Sequence, residues 1–433
     1  MIANFLLIAG LFPYFKITSG YTQPYPLLIG IVYFFLNYKD IYNISILYIG
    51  KKSVCYAFAI TVYSLLLLAG SADSYNSLKY FVAILSPIVL VPAYLKIFDG
   101  NRFKTLKLLK ISLLIWTIVA FLQKIGFNLP LGVVAPDIQE SFLNSGRGVS
   151  SLAPEPTHYA LTVIPLFATL FLLGFQKRYV LSLGLFSVIL LSGSSTAIVI
   201  FLSSLVLVIA KIFVDKLIAA PCFYIFQPQK SSKVSKKSLV AFAITVLIVI
   251  LVTTTLLSLS YTETTGIRFI NLFRRFVSGV NIDSWSLNSL LQTMSVIDYS
   301  FASRIGGSLI AISLCIGNLF VPFGFSRELW ISISDNYSID VSQAGPPSGY
   351  ISLIFWLGFA IIPFIIYLMS LCFRGNSSNL FRNFIIISSF LVFLMQIYLS
   401  IPSFSLRVAS AIFNDKQSSN QFHAGTSKNP NST

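Results

Sequence analysis

Apolar runs of about 18 residues or more recur along the whole of this 433-residue chain. A helix needs about 20 residues to cross roughly 30 Å of hydrocarbon, so each run is long enough to be a membrane span. The runs are apolar all round. That separates them from amphipathic soluble helices and from the alternating strands of a membrane barrel. Composition agrees: 56% of residues are hydrophobic and 10% are charged, where soluble domains carry about 25% charged residues. One soluble core cannot hide that much apolar side chain. The sequence predicts an all-α polytopic membrane protein.

Spans are expected at about 2–20, 22–38, 53–71, 79–97, 108–125, 158–175, 179–192, 195–213, 238–260, 350–372 and 382–402. The first is read as a retained helix, since no small-residue cleavage site follows it. Basic residues orient the set. Lys39, Lys51 and Lys52 follow the second span, and Arg102, Lys104, Lys107 and Lys110 follow the fourth. Lys177 and Arg178, the run Lys211 to Lys237, and Arg374 and Arg382 follow later even-numbered spans. All these loops fall on one side, which is therefore cytoplasmic. The net charge of +16 is explained by them, so no nucleic-acid partner is inferred. One transmembrane domain covers 1–402, with extracytoplasmic segments at 126–157 and 261–349 and a polar tail at 403–433, expected to be disordered from Phe413 on. Eleven spans put that tail outside. The apolar stretch 306–325, within the larger segment, reads either as a twelfth span or as an interfacial helix.

Several chemistries are excluded. The four cysteines, Cys55, Cys222, Cys315 and Cys372, form no CxxC pair, and the two histidines are His158 and His423. No metal site and no disulfide is expected. No P-loop, GxGxxG, HExxH or GxSxG stands in a supporting context. No cofactor is expected either.

What the outer segments do contain is arginine. Arg147, Arg268, Arg274, Arg275, Arg304 and Arg327 lie in them and no lysine does, although the chain has 19 lysines and 11 arginines. A guanidinium is permanently charged and grips phosphate or carboxylate with two parallel hydrogen bonds. The pattern points to an anionic ligand at the membrane face, such as a lipid-linked diphosphate. The plainer reading is headgroup contact, or pairing with Glu263, Asp283 and Asp298.

A second feature is the segment Arg147 to Ala160, RGVSSLAPEPTHYA. Glu155 lies between Pro154 and Pro156, which hold its backbone extended or in a turn. Its carboxylate is a candidate general base for a sugar hydroxyl; equally, it is an acid placed at the positive end of a helix. His158 follows, as a participant or as a structural hydrogen bonder. Third is the small-residue run Ser192 to Ala197, SGSSTA, whose plain role is close helix packing. Fourth come Ser303-Arg304, Pro322-Phe-Gly324 and Gly345-Pro-Pro-Ser-Gly349, turn-forming residues around the apolar stretch.

In that order, with the closing span that begins GYISLIFWLG at Gly349, these features resemble the bacterial O-antigen and exopolysaccharide polymerases (Wzy-type) of the O-antigen ligase-polymerase superfamily. The likeness covers roughly residues 140 to 372 and lies in the order of short motifs. It implies a GT-C-like glycosyltransferase of about 11–12 transmembrane helices with a large extracytoplasmic loop. It also implies a bacterial cytoplasmic (inner) membrane location with the active site facing the periplasm. The reaction so implied moves a growing glycan from undecaprenyl diphosphate to the non-reducing end of a lipid-linked repeat unit, without metal or nucleotide sugar. The implied partners are undecaprenyl diphosphate-linked oligosaccharides, membrane lipids, a chain-length regulator and a flippase. Matched to the family's outer arginines, Arg147, Arg268 and Arg304 become diphosphate clamps, followed by Arg274, Arg275 and His158, with Glu155 as the base. Arginine donors stabilise the charge growing on a diphosphate leaving group. Ligases of the superfamily carry a histidine near the closing span. This chain has Gln343-Ala-Gly-Pro-Pro-Ser-Gly349 there, which favours polymerase over ligase. A flippase for the same lipid-linked units is the alternative from another class, against which stand the absence of related halves and the scarcity of charge within spans.

Overall fold

The computed structural model describes residues 1–15, 23–71, 74–127, 148–174, 306–325, 327–336, 349–373 and 402–426, with parts of 184–208 and 384–392. Among these residues the chain is helical, with no strand. Three stretches are long and apolar enough to cross a membrane: Lys51–Ala69, Ser77–Lys124 and Tyr350–Tyr367. This is a helical membrane protein. The expected spans 53–71, 79–97, 108–125 and 350–372 lie on those stretches. The expected span 238–260 lies outside the described residues, while 179–192, 195–213 and 382–402 are described only in part.

Helix α1 runs Ile2–Leu11, shorter than the expected 2–20. Pro13 explains the early end, because it removes an N–H and forces Phe12 out of the helical region (φ −130°, ψ 68°). Helix α2, Tyr25–Leu36, opens with Pro26 in its first turn, where a missing N–H costs nothing. Helix α3, Tyr38–Tyr48, occupies the expected basic loop. Helix α4 is Lys51–Ala69. Helix α5, Ser74–Lys124, holds two expected spans joined at Asn101, whose φ of −156° and ψ of 72° break the helix into two arms. Both arms pack on α1. Tyr94 of the first lies against Gly10, and Trp116 Nε1 of the second donates to the Leu11 carbonyl at 3.1 Å. Helix α6 is Pro156–Leu172 and is buried along its whole length.

One end of the bundle gathers the basic corner at Asn101. Lys96 pairs with Asp40 of α3 at 2.7 Å, and the Tyr48 hydroxyl donates to Asp99 at 2.7 Å. Burial and then the Asp99 carboxylate raise the Tyr48 phenol above its ordinary pKa. Arg102 Nε donates to the Leu173 carbonyl at 2.8 Å, closing the end of α6 where a cation complements the helix dipole. The ends of the expected fourth and sixth spans therefore meet, at Arg102 and Leu173.

Helix α7, Gly307–Gly317, has 11 residues. At 1.5 Å per residue it covers about 16 Å, half of a roughly 30 Å hydrocarbon core. It ends in a turn with Leu319 and Phe320 in the left-handed region, at φ 50° and 56°. Chain 320–325 then runs back along the closing span, with the Phe323 N–H on the Phe355 carbonyl at 2.9 Å and the Phe359 N–H on the Phe320 carbonyl at 3.1 Å. Phe325 reaches the start of α5, where Ser77 donates to its carbonyl at 2.8 Å. Within 306–325 the helix thus ends at Gly317, and the chain that follows doubles back beside the closing span. Helix α8, Arg327–Asn336, follows and buries Trp330 against Phe355. The closing span is broken into α9 (Gly349–Leu357), a 3-10 turn (Gly358–Ile361) and α10 (Ile362–Phe373).

The stretch read as a polar tail differs most. Residues Pro402–Thr426 form helix α11, whose first turns are buried between α5 and α6. Its serines and its Arg407 hide its apolar content from hydropathy, yet Phe404, Leu406, Ala409, Ile412 and Phe413 fill the core. Phe404 packs on Tyr350 (6.5 Å), and Phe413 stacks on Tyr48 (5.5 Å) beside Phe98 (6.1 Å). Helix α11 therefore runs toward the basic corner.

Candidate functional site

At the end of α5 opposite the corner, the segment 148–158 meets the segment 187–194. These hold two of the motifs singled out above, Arg147 to Ala160 and Ser192 to Ala197. Val149 N–H donates to the Leu191 carbonyl at 3.1 Å, and the Ser194 hydroxyl donates to Thr157 Oγ1 at 3.4 Å. Between them Ser187–Leu191 forms a π-helical turn, a form that recurs at functional sites because it re-aims side chains. Ser187 opens the turn and joins three helices. Its Oγ lies 3.1 Å from Thr117 Oγ1 of α5, and it bonds the Tyr159 hydroxyl of α6.

Glu155 is the N-cap of α6, with extended backbone at φ −142° and ψ 155°. That position is the positive end of the helix, where the helix-entry reading puts an acid, and the side chain makes no cap bond to the first turn. It is half-buried and is the one carboxylate among the described residues of this cluster. His158, one turn on, is buried rather than open at the membrane edge, with its ring 6.0 Å from that of Tyr14. The Tyr14 hydroxyl lies 3.1 Å from Thr162 Oγ1, which itself donates to the His158 carbonyl at 2.9 Å. Behind them Trp116 stacks on Tyr159 (5.9 Å) and on Phe12 (6.2 Å) and meets Tyr14 edge-on (6.3 Å). Trp116 is fully buried, so it orders the cluster and is no open platform for a sugar ring.

The arginines expected at the site, Arg147, Arg268, Arg274, Arg275 and Arg304, lie outside the described residues, as does the side chain of Arg327. Gly148, the first described residue after Arg147, has φ 88° and opens the segment that carries Glu155. The outer segments lack lysine, but this end of the molecule does not. Lys79 and Lys124, at the two far ends of α5, are exposed there. Among the described residues no group of three His, Cys, Asp or Glu side chains could hold a metal ion.

Two buried polar residues went unnoticed in the sequence. Gln123 grips Ser151, accepting from its N–H at 2.7 Å and donating to its carbonyl at 3.1 Å. Arg407 of α11 is 4% exposed, and its Nε donates to Ser389 at 2.6 Å. Arginine inside a membrane bundle is rare enough to have been a signal, but the polar residues around it made the stretch look like a tail.

No family model, no curated protein and no solved structure matches this chain.

Proposed function

We propose that this chain is a repeat-unit polymerase of the O-antigen and exopolysaccharide type, a metal-independent glycosyltransferase of the bacterial inner membrane. It takes two undecaprenyl diphosphate-linked oligosaccharides. The hydroxyl at the non-reducing end of one attacks the anomeric carbon of the other, the bond to the lipid diphosphate breaks, and that diphosphate leaves. Glu155 accepts the hydroxyl proton. Arg147 and Arg304 stabilise the charge growing on the leaving diphosphate, with Arg268, Arg274 and Arg275 binding it in the ground state. His158, buried beneath Tyr14, shapes the Glu155 turn from inside. The observation that carries the reading is the meeting of 148–158 with 187–194, which brings the Glu155 motif and the small-residue motif together at the end of the bundle away from the basic corner.

The proposed topology is GT-C-like, with the basic corner in the cytoplasm and Glu155 facing the periplasm. Twelve crossings fit better than eleven, because α11 returns to the level of Tyr48 and Phe98. A reporter fused after Thr433 is expected to show the cytoplasmic phenotype; a periplasmic one would rule this arrangement out.

A second reading, transport of the lipid-linked unit, draws on the broken closing span and the helix that turns back beside it, since discontinuous helices line many transporter sites. One experiment separates the two. Purified protein with lipid-linked repeat units in detergent is expected to yield a glycan ladder without ATP or a gradient, and a transporter yields none. Arg147→Ala and Arg304→Ala are each expected to cut the rate by about 100-fold or more, the scale of one lost transition-state donor. Normal ladders from both at normal protein levels would refute the clamp.

A further inference from the structure

Ser151 stands four residues before Glu155, so whatever holds Ser151 sets where the turn that carries Glu155 begins. Its φ of 54° is in the left-handed region, a conformation a serine keeps only when its surroundings impose it. Three bonds impose it. The Gln123 side chain takes both polar groups of the Ser151 backbone, at 2.7 and 3.1 Å, as the edge of a neighbouring strand would. The Ser151 hydroxyl donates to the Trp116 carbonyl at 2.7 Å. Both partners belong to the second arm of α5, and both residues of the latch are buried. Among the described residues, these and the Val149–Leu191 bond are the hydrogen-bond ties between the segment 148–153 and the helices.

Resting on the polymerase reading, we infer that Gln123 is a positioning residue: it fixes the segment 148–155 to α5 and so sets where the proposed base Glu155 stands. Gln123 touches no substrate. It acts by holding one backbone turn, since its side-chain amide both accepts from the N–H and donates to the carbonyl. Glutamate keeps the first bond and loses the second. Leucine loses both at nearly the same volume. Reacting groups held by such a turn lose rate steeply when they shift by about 1 Å, while binding made elsewhere on the substrate persists.

The test uses the full chain in detergent with two readouts. Hydrogen exchange over peptides covering 148–155 is expected to quicken about tenfold in Gln123→Leu, the scale of a lost buried hydrogen bond, and by less in Gln123→Glu, with exchange in α6 unchanged. Ladder synthesis is expected to show kcat falling in the order Gln, Glu, Leu with KM held. Unchanged exchange at 148–155 in both variants would overturn the latch. Quickened exchange with wild-type kcat would overturn the positioning role. Should Gln123→Leu fail to fold, Gln123→Glu carries both readouts. No ladder from the unsubstituted protein overturns the polymerase reading and the kinetic part with it, and the exchange result still decides whether Gln123 holds the segment.

Discussion

Two irregular stretches are held at the end of the bundle away from the basic corner, and they are held by different forces. Segment 148–158 is fastened by polar side chains: Gln123 on Ser151, Ser151 on Trp116, Ser194 on Thr157. The turning stretch 318–325 is fastened by aromatic packing and backbone. Phe323 stacks on Phe355 at 4.6 Å, Phe320 leans on Phe359 at 5.2 Å, and Tyr80 stacks on Trp356 at 4.5 Å beside Phe325. Packing is broad and spreads a perturbation over many atoms, so it suits a stretch whose work is to complete the fold. Hydrogen bonds are few and directional. They suit the work proposed for 148–158, presenting Glu155 in one orientation, and they make that stretch sensitive to single polar substitutions.

The sharpest way to break the contrast lies at Gly358. Its φ is 60°, and a Cβ there would overlap the Phe320 carbonyl and approach Pro322 N to 2.8 Å. Both obstacles are backbone and cannot rotate away. Gly358→Ala is expected to cost about 3 kcal/mol, from backbone strain plus overpacking. A thermal unfolding midpoint equal to the unsubstituted protein's would show that the turning stretch does not rest on the closing span. Next in size is Ser187→Ala, which leaves the buried hydroxyls of Tyr159 and Thr117 without their shared partner. A cost of about 1–2 kcal/mol is expected, together with faster exchange around Val149, while 318–325 stays unchanged. Equal changes in both stretches would erase the distinction between them. Smallest is Lys96→Met at the corner. Its pair with Asp40 is partly open to solvent, so about 0–1 kcal/mol is expected, measurable as a weak salt dependence of the midpoint.

The spans that hydropathy located, such as 53–71 and 79–97, were legible because lipid exposure is a local property of about 20 consecutive side chains. The basic corner was legible for a similar reason, since Arg102 and its neighbouring lysines are read one loop at a time. Helix α11 was not. Ser403, Ser405, Arg407 and Ser410 are buried against other helices, and burial inside a bundle is a fact about neighbours distant in the chain. The early end of α1 was written in Pro13, a signal that a window average smooths away. At the candidate site Glu155 stood out through its flanking prolines. Gln123 could not, because a single glutamine at a helix end carries no pattern until Ser151, 28 residues later, is brought beside it.

Helix α11 also has a bearing on how the molecule is made. The surfaces of α5 and α6 that it covers are synthesised long before residue 402 leaves the ribosome. Until then the faces of α5 and α6 that it covers lie open, and the small cavity that Thr162, Thr169 and Gly10 share with Ser403 and Leu406 lacks its α11 wall. Such a chain cannot finish its interior helix by helix during insertion. Its final consolidation waits for α11, and a chain cut short of residue 402 would be membrane-inserted yet incomplete, a ready target for quality-control proteases.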